Sequence, residues 1–251
     1  MAQLNFQVRC DDGTIEEMKS KALFVTGTDT GVGKTVVTAL VALKLRQMGI
    51  HCGVMKPFAS GCYWENGVLV SEDAAFLRDA LQLDDTQDEI CPIRLEEPLA
   101  PLIAARRAAI STGKWPEMAR EAFLRLQLRY ECVVVEGVGG LLAPIWEDGA
   151  IRTNQDLIEN WELPTVVVAR SALGTINHTL LTLQRPLMAP ATFAGIVFND
   201  SNCEVGDVAS QTSPHFIAEN TEVPVWGTLP FIADLSREWL QQAAQTLSIS
   251  F

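Results

Sequence analysis

A chain of 251 residues, 48% of them hydrophobic, has material for one large α/β domain or two small ones, and a single domain is the simpler reading. Its net charge of −12 argues against general nucleic-acid binding, because a phosphate backbone needs a basic face and no local stretch supplies one. Six scattered cysteines without a C-x-x-C pair predict a reduced, cytoplasmic setting, and the lack of a signal-type core or of eighteen consecutive apolar residues predicts neither export nor membrane insertion.

Residues 1–20 form an N-terminal extension around the turn-like Asp11-Asp12-Gly13, which reads as an ordered arm, an extra hairpin or a flexible tail; residues 21–251 read as one domain. The apolar run at 22–27 predicts a buried strand. It leads straight into Gly27-Thr28-Asp29-Thr30-Gly31-Val32-Gly33-Lys34-Thr35 and a helix over 33–48. A strand, a glycine-rich turn and a helix opening on Lys-Thr make a phosphate cradle: loop N–H groups and the helix N-terminus face an anion, Lys34 adds charge, and Thr35 offers its hydroxyl to Mg²⁺. The strict G-x-x-x-x-G-K-[ST] pattern puts glycine where this chain has Thr28, and its own glycine stands one residue earlier.

Further runs rich in Val, Ile and Phe, apolar on both faces, predict strands at 51–55, 131–135, 164–169, 193–198 and 223–228. Between them, helices are expected at 72–82, 115–129, 154–161, 174–184 and 235–246, with Pro116 in a first turn and Asn154 as an N-cap. Pro186 and Pro190 should stop the helix after Asn177 early. This alternation implies an α/β fold with a mostly parallel sheet flanked by helices.

Ligands of open parallel sheets collect at the carboxyl ends of the strands. Glu136, where the third predicted strand runs out, is therefore a candidate Mg²⁺ ligand, and the glycines of Gly137-Val138-Gly139-Gly140 would let a ligand approach the backbone. Lys56 follows the second predicted strand and offers another ammonium beside the phosphates. Asp73, at a helix start, suits an N-cap better than a metal on local grounds. His51, His178 and His215 lie too far apart in sequence to argue for a zinc site or a hydrolytic triad.

Taken in order, GTDTGVGKT at 27–35, KPFASG at 56–61, VVVEGVGGLLAPI at 133–145, ALGTINHTLLTL at 172–183, GIVFND at 195–200 and GTLPF at 227–231 resemble the ATP-dependent dethiobiotin synthetases. The resemblance runs from about Lys21 to about Glu238. It implies a single α/β domain of P-loop NTPase architecture, acting as a homodimer, that closes a ureido ring from 7,8-diaminononanoate and CO₂: one amine captures CO₂ as a carbamate, the carbamate attacks the γ-phosphate of ATP, and the second amine displaces phosphate. By the same resemblance Gly31, Val32, Gly33, Lys34, Thr35 and Val36 hold the phosphates, with Gly137, Val138 and Gly139 close by; Thr35, Asp73 and Glu136 hold Mg²⁺. Lys56 and Lys34 are the catalytic lysines, and Thr30 and Ser60 face the diamine. Asn199 and Asp200 recognise the base, under a loop of Pro230, Phe231 and Ile232, and Gly174, Thr175 and Asn177 of a partner subunit receive the substrate's distant carboxylate.

The extension 1–20, the segment 184–192 and the end beyond Asp234 depart from the family pattern, which leaves dimer contacts and ribose recognition less determined than the phosphate chemistry. Rival readings are a P-loop paralogue with a changed substrate or a MinD- or ParA-like switch ATPase. Such switches have lysine where this chain has Asp29, and their membrane forms need a basic amphipathic tail that 238–251 does not supply. A cobyrinate-type amidotransferase would need a glutaminase domain for which the chain is too short. No nucleic-acid or membrane partner is expected.

Overall fold

The computed structural model describes residues 4–9, 15–200, 208–231 and 234–249, with side chains from residue 21 onward. An antiparallel hairpin of β1 (Leu4–Arg9) and β2 (Ile15–Ser20) comes first, so the described part of the extension takes the second of its three predicted forms. Next come β3 (Ala22–Gly27), α1 (Lys34–Gln47), β4 (Cys52–Met55), and the short β5 (Phe58–Ala59), β6 (Tyr63–Glu65) and β7 (Val68–Val70). They are followed by α2 (Glu72–Leu81), α3 (Gln87–Ile90), β8 (Ile93–Arg94), α4 (Pro101–Arg107), α5 (Trp115–Arg129) and β9 (Cys132–Gly140). The chain continues through β10 (Pro144–Glu147), β11 (Ile151–Thr153), α6 (Asn154–Trp161), β12 (Pro164–Arg170) and α7 (Thr175–Leu183). Last are β13 (Thr192–Asn199), α8 (Val208–Glu219), β14 (Val225–Leu229) and α9 (Arg237–Thr246).

Six strands make one parallel sheet in the order β14-β13-β12-β3-β9-β4. The period-2 alternation of strand side chains divides the core: Leu23 and Val25 of β3 pack with α1, α2 and α9, while Ala22 and Phe24 pack with α5 and α6 on the other face. Because both faces are covered, β3 carries no exposed residue. The chain leaves β3 for β4 on one side and later reaches β12 on the other, so the crevice at the carboxyl end of β3 is the switch point of the sheet, where such folds bind ligands.

Among the described residues, the regular elements without a sequence forecast are the short or irregular ones. Helix α4 is 7 residues long, and α8 carries Pro214 in its interior, which weakens the helical signal. Two expectations are corrected. Strand β9 runs on to Gly140 instead of ending at 135, and the N-cap of α6 is Thr153, in a capping box with Asp156, so Asn154 is the first helical residue and its side chain is free for other work. Helix α7 does stop at Leu183, ahead of Pro186.

Candidate functional site

The loop between β3 and α1 is held from several sides. Its Thr28 N–H donates to Val168 O of β12 (2.9 Å), Thr30 N–H to Asp29 Oδ1 (2.7 Å), and Arg170 Nη2 to Thr30 O (3.0 Å). Gly31 and Gly33 sit at φ +72° and +92°, a left-handed conformation that side-chain-bearing residues adopt only under strain. The displaced glycine of the motif has a steric reason: a Cβ on Gly27 would come within 2.8 Å of Val32 Cγ2 and 2.9 Å of Asp29 O, because the loop folds back over it. Thr28 stands outside that turn.

Lys34, the first residue of α1, is buried and donates from Nζ to Asp29 O at 3.0 Å. Burial, together with the neighbouring Lys56 ammonium, outweighs the pull of Glu136 and brings its pKa down to about 8. A poorly compensated cation at a helix N-terminus lined with N–H groups is an anion site.

Beside it, Lys56 (4% exposed) and Glu136 (1% exposed) meet through Nζ and Oε1 at 2.6 Å, and the same Nζ lies 2.6 Å from Asp73 Oδ2. Thr35 Oγ1 is 2.8 Å from Glu136 Oε1 and 3.1 Å from Asp73 Oδ1; with one proton it donates to one carboxylate at a time. Burial works against the Lys56 charge, yet the two carboxylates hold its pKa above the ordinary lysine value. Burial pushes the Glu136 carboxyl up; for Asp73 burial is outweighed by the Lys56 ammonium, and its pKa falls.

Local sequence favoured Asp73 as a helix cap, and the geometry corrects this. Ser71 caps α2 by accepting the Ala74 N–H at 3.2 Å, which leaves the Asp73 carboxylate pointing at Thr35 and Lys56. Glu136 is brought opposite by β9, paired in register with Val25 of β3.

The same residues test whether Mg²⁺ fits. Glu136 Oε2 is buried with no hydrogen-bond partner, an expensive state for a carboxylate oxygen unless a ligand completes it. With Thr35 Oγ1 and Asp73 it forms a set of hard oxygen donors suited to Mg²⁺. Among the described residues no group of three or more His, Cys, Asp or Glu is placed to hold a metal, so the remaining ligands would be water and phosphate oxygens, as is usual for that ion.

These groups line one cavity of about 540 Å³ together with Thr30, Gly31, Gly33, Val36, Ser60, Val138 and Gly139, all forecast for the site. Phe76 and Leu235 line it too, without having been forecast; on the sequence they read only as ordinary apolar positions. A larger cleft of about 670 Å³ lies at the amino ends of β4 and β9, around Arg46, His51 and Asp85, far from the phosphate loop, so size does not choose the site. Gly137 and Val32 are buried behind the cavity, with the Phe24 ring against Gly137.

Other forecast residues stand apart. Asn199 is buried beside the loop, where its Nδ2 donates to Val32 O (3.0 Å) and lies 2.1 Å from where a Cβ on Gly33 would be. At least one of its donors is therefore spent on the backbone. Asp200 follows β13, its N–H donating to Leu229 O (2.9 Å); Pro230 and the exposed Phe231 follow β14; Ile232 lies outside the described residues. Gly174 is the N-cap of α7 at φ +94°, Thr175 is buried with its hydroxyl 3.2 Å from that of Thr179, and Asn177 lies in the same first turn. None of these three lines the cavity.

Asn154 is a functional support that the sequence did not reveal. Its buried Nδ2 donates to Val138 O and Gly140 O, both at 2.7 Å, and so holds the glycine-rich end of β9 in place. Its neighbours lie 14 and 16 residues away, beyond any local pattern.

A family model described as an AAA domain matches residues 21–239. ATP-dependent dethiobiotin synthetase BioD of Thermodesulfovibrio yellowstonii is 38% identical over 225 residues, covering 88% of this chain and 93% of that protein. The proteins of the same name from Bacillus licheniformis and Bacillus subtilis are 39% and 34% identical, over 86% and 87% of this chain and 88% and 90% of theirs. A solved structure titled cobyrinic acid a,c-diamide synthase from Mycobacterium smegmatis, with bound ADP and magnesium, shares the fold at a TM-score of 0.52 and 12% identity. It is covered over 93% of its length and 90% of this chain.

Proposed function

The chain belongs to the ATP-dependent dethiobiotin synthetase family, and we propose that it carboxylates 7,8-diaminononanoate with CO₂ and closes the ureido ring as ATP becomes ADP and phosphate. One observation carries the reading: Lys34, Thr35, Lys56, Asp73 and Glu136, from four separate segments, converge on one cavity at the carboxyl end of the sheet.

The loop N–H groups and Lys34 hold the β- and γ-phosphates, and Thr35, Asp73 and Glu136 hold Mg²⁺, which when bound neutralises charge on the phosphates. Lys56 supplies positive charge to the γ-phosphoryl group as the carbamate oxygen attacks it. Thr30 and Ser60, on the cavity wall, orient the diamine. Lys34, Lys56 and Glu136 are buried, so their fixed charges act with little screening by solvent. The distant carboxylate of the substrate goes to the start of α7 in a second subunit; Leu173 and Leu181, 90% and 59% exposed at that helix, support an interface there. Residues 21–251 act as one domain. A cytoplasmic location is supported by Cys52, Cys62, Cys91 and Cys132, all free thiols; among the described residues no helix is long and apolar enough to cross a membrane.

Purified protein given 7,8-diaminononanoate, bicarbonate, Mg²⁺ and each of several nucleoside triphosphates should yield dethiobiotin by mass spectrometry, fastest with ATP. Tight nucleotide binding without product would point instead to a paralogue with another substrate. ATP hydrolysis indifferent to the diamine would favour a switch ATPase.

A further inference from the structure

The oxygens assigned to Mg²⁺ are engaged by a cation of the chain itself. Lys56 Nζ lies 2.6 Å from both Asp73 Oδ2 and Glu136 Oε1, and the Thr35 hydroxyl bridges the same two carboxylates. Two carboxylates sharing one ammonium, Glu136 buried and Asp73 half-buried, repel each other and favour a positive charge between them. All three side chains line the nucleotide cavity, and the Asp73 side chain is 45% exposed, so the pair is within reach of an incoming ligand. Glu136 Oε2 stays buried and unpartnered, so the ammonium leaves part of the donor set unsatisfied.

We propose that Lys56 is a stand-in cation: it occupies the carboxylates until nucleotide arrives, so that the metal loads with the triphosphate and not ahead of it. Loading then turns the ammonium off at least one carboxylate and frees it for the phosphoryl group. The inference rests on the metal role given to Thr35, Asp73 and Glu136 under the proposed function. A free divalent ion must displace a charged side chain held by two contacts, whereas a metal–nucleotide complex brings phosphate oxygens that can take over both the ion and the ammonium.

The test reads metal affinity by Mn²⁺ electron paramagnetic resonance, with no turnover involved. Lys56→Met keeps the stem and removes the charge; without nucleotide it should bind Mn²⁺ at least about tenfold more tightly than the wild type, a typical size for coupling between two bound groups. Lys56→Arg should stay as weak as the wild type, and added ethylammonium should drive Mn²⁺ off Lys56→Ala, whose shortened side chain leaves room for it. Equal or weaker Mn²⁺ binding by Lys56→Met would overturn the proposal. If that variant does not fold, a crystal structure of the wild type with Mg–ADP decides: a metal ion seated with both Lys56 contacts intact overturns the idea, and an Nζ withdrawn from one carboxylate supports it. Asp73→Asn separates the two levels. Mn–ADP binding indifferent to that change would sink the metal assignment itself, whereas its loss alongside an unresponsive Lys56→Met would sink only the stand-in role.

Discussion

Around β3, β9 and β4, Lys34, Lys56 and Glu136 are buried, Thr35 and Asp73 are half-buried, and most of these side chains hold one another by hydrogen bonds or ion pairs. Around β12, β13 and β14, those that would meet the base and the substrate tail stand at strand ends and loops: Phe231 is exposed, and α7 presents Leu173 and Leu181 to solvent. The cores differ likewise. On one face a large cluster runs under both regions, taking in Val166, Val168, Val197, Trp226 and Leu229; on the other face a large cluster lies under β3, β9 and β4, and only the small one of Ala169, Ile196, Phe198 and Ile217 lies under β12 and β13. Groups that stabilise developing charge must be fixed before reaction, because reorganising them would add to the barrier. Groups that choose a base or close on a substrate can be completed by the ligand or by a second subunit.

The sharpest way to break this contrast is at Lys56. If the phosphate region is preorganised for the transition state, Lys56→Ala should lower kcat by about 10²–10³-fold, the usual cost of removing one stabilising donor, while ADP affinity in calorimetry changes only a few-fold. Parallel loss of both would mean that Lys56 serves mainly to bind.

Gly33→Ala attacks the scaffold of the same region. The new Cβ would meet Asn199 Nδ2 at 2.1 Å and sit at φ +92°, costing about 2–3 kcal/mol in strain, equivalent to roughly 10²-fold in ADP affinity. Retained affinity would show that the loop is more pliable than its contacts suggest.

A smaller effect follows from Lys34. Its pKa lies near 8 in the free protein, and a bound phosphate favours the ammonium, so nucleotide binding takes up a proton once the pH exceeds 8. In EDTA, ADP affinity should be flat below pH 7.5 and fall about tenfold for each pH unit well above 8, until the pKa of the complex is reached. The opposite sign holds for the empty protein: relieving the buried charge adds stability as pH rises from 8 toward 10.5. An affinity unchanged to pH 9.5 would show that Lys34 is not the titrating phosphate contact.

Much of this organisation could be read from residues near one another in sequence. The apolar runs located β3 and β12, and the boundaries of α5 and α6 follow their amphipathic patterns, because strand and helix periods are local properties. The phosphate loop was equally plain, and the resemblance supplied Asp73 and Lys56 by position. Partnerships were not visible. Thr35 reaches Glu136 across 101 residues and Lys56 reaches it across 80, and nothing in either neighbourhood records that the lysine clasps both acids. Asn154 looked like a cap because a polar residue opens a helix there, yet its amide serves the backbone of β9. Helix α8 was hidden by Pro214, a local rule that tertiary packing overrides.

Asn199 lies on the border between the two regions, and the smallest effect tests to which it belongs. As a reader of the base, its amide would discriminate between nucleotides, and Asn199→Ala would weaken ATP while leaving GTP unchanged. As a brace of the phosphate loop, it would serve every nucleotide alike. The geometry favours the brace, since Nδ2 donates to Val32 O at 3.0 Å and the Gly33 backbone closes over it. Losing one such hydrogen bond costs about 1 kcal/mol, so ATP and GTP affinities should both fall roughly fivefold. Calorimetry with the two nucleotides separates the cases: a loss confined to ATP returns Asn199 to the base, and a shared loss extends the prebuilt phosphate region as far as β13.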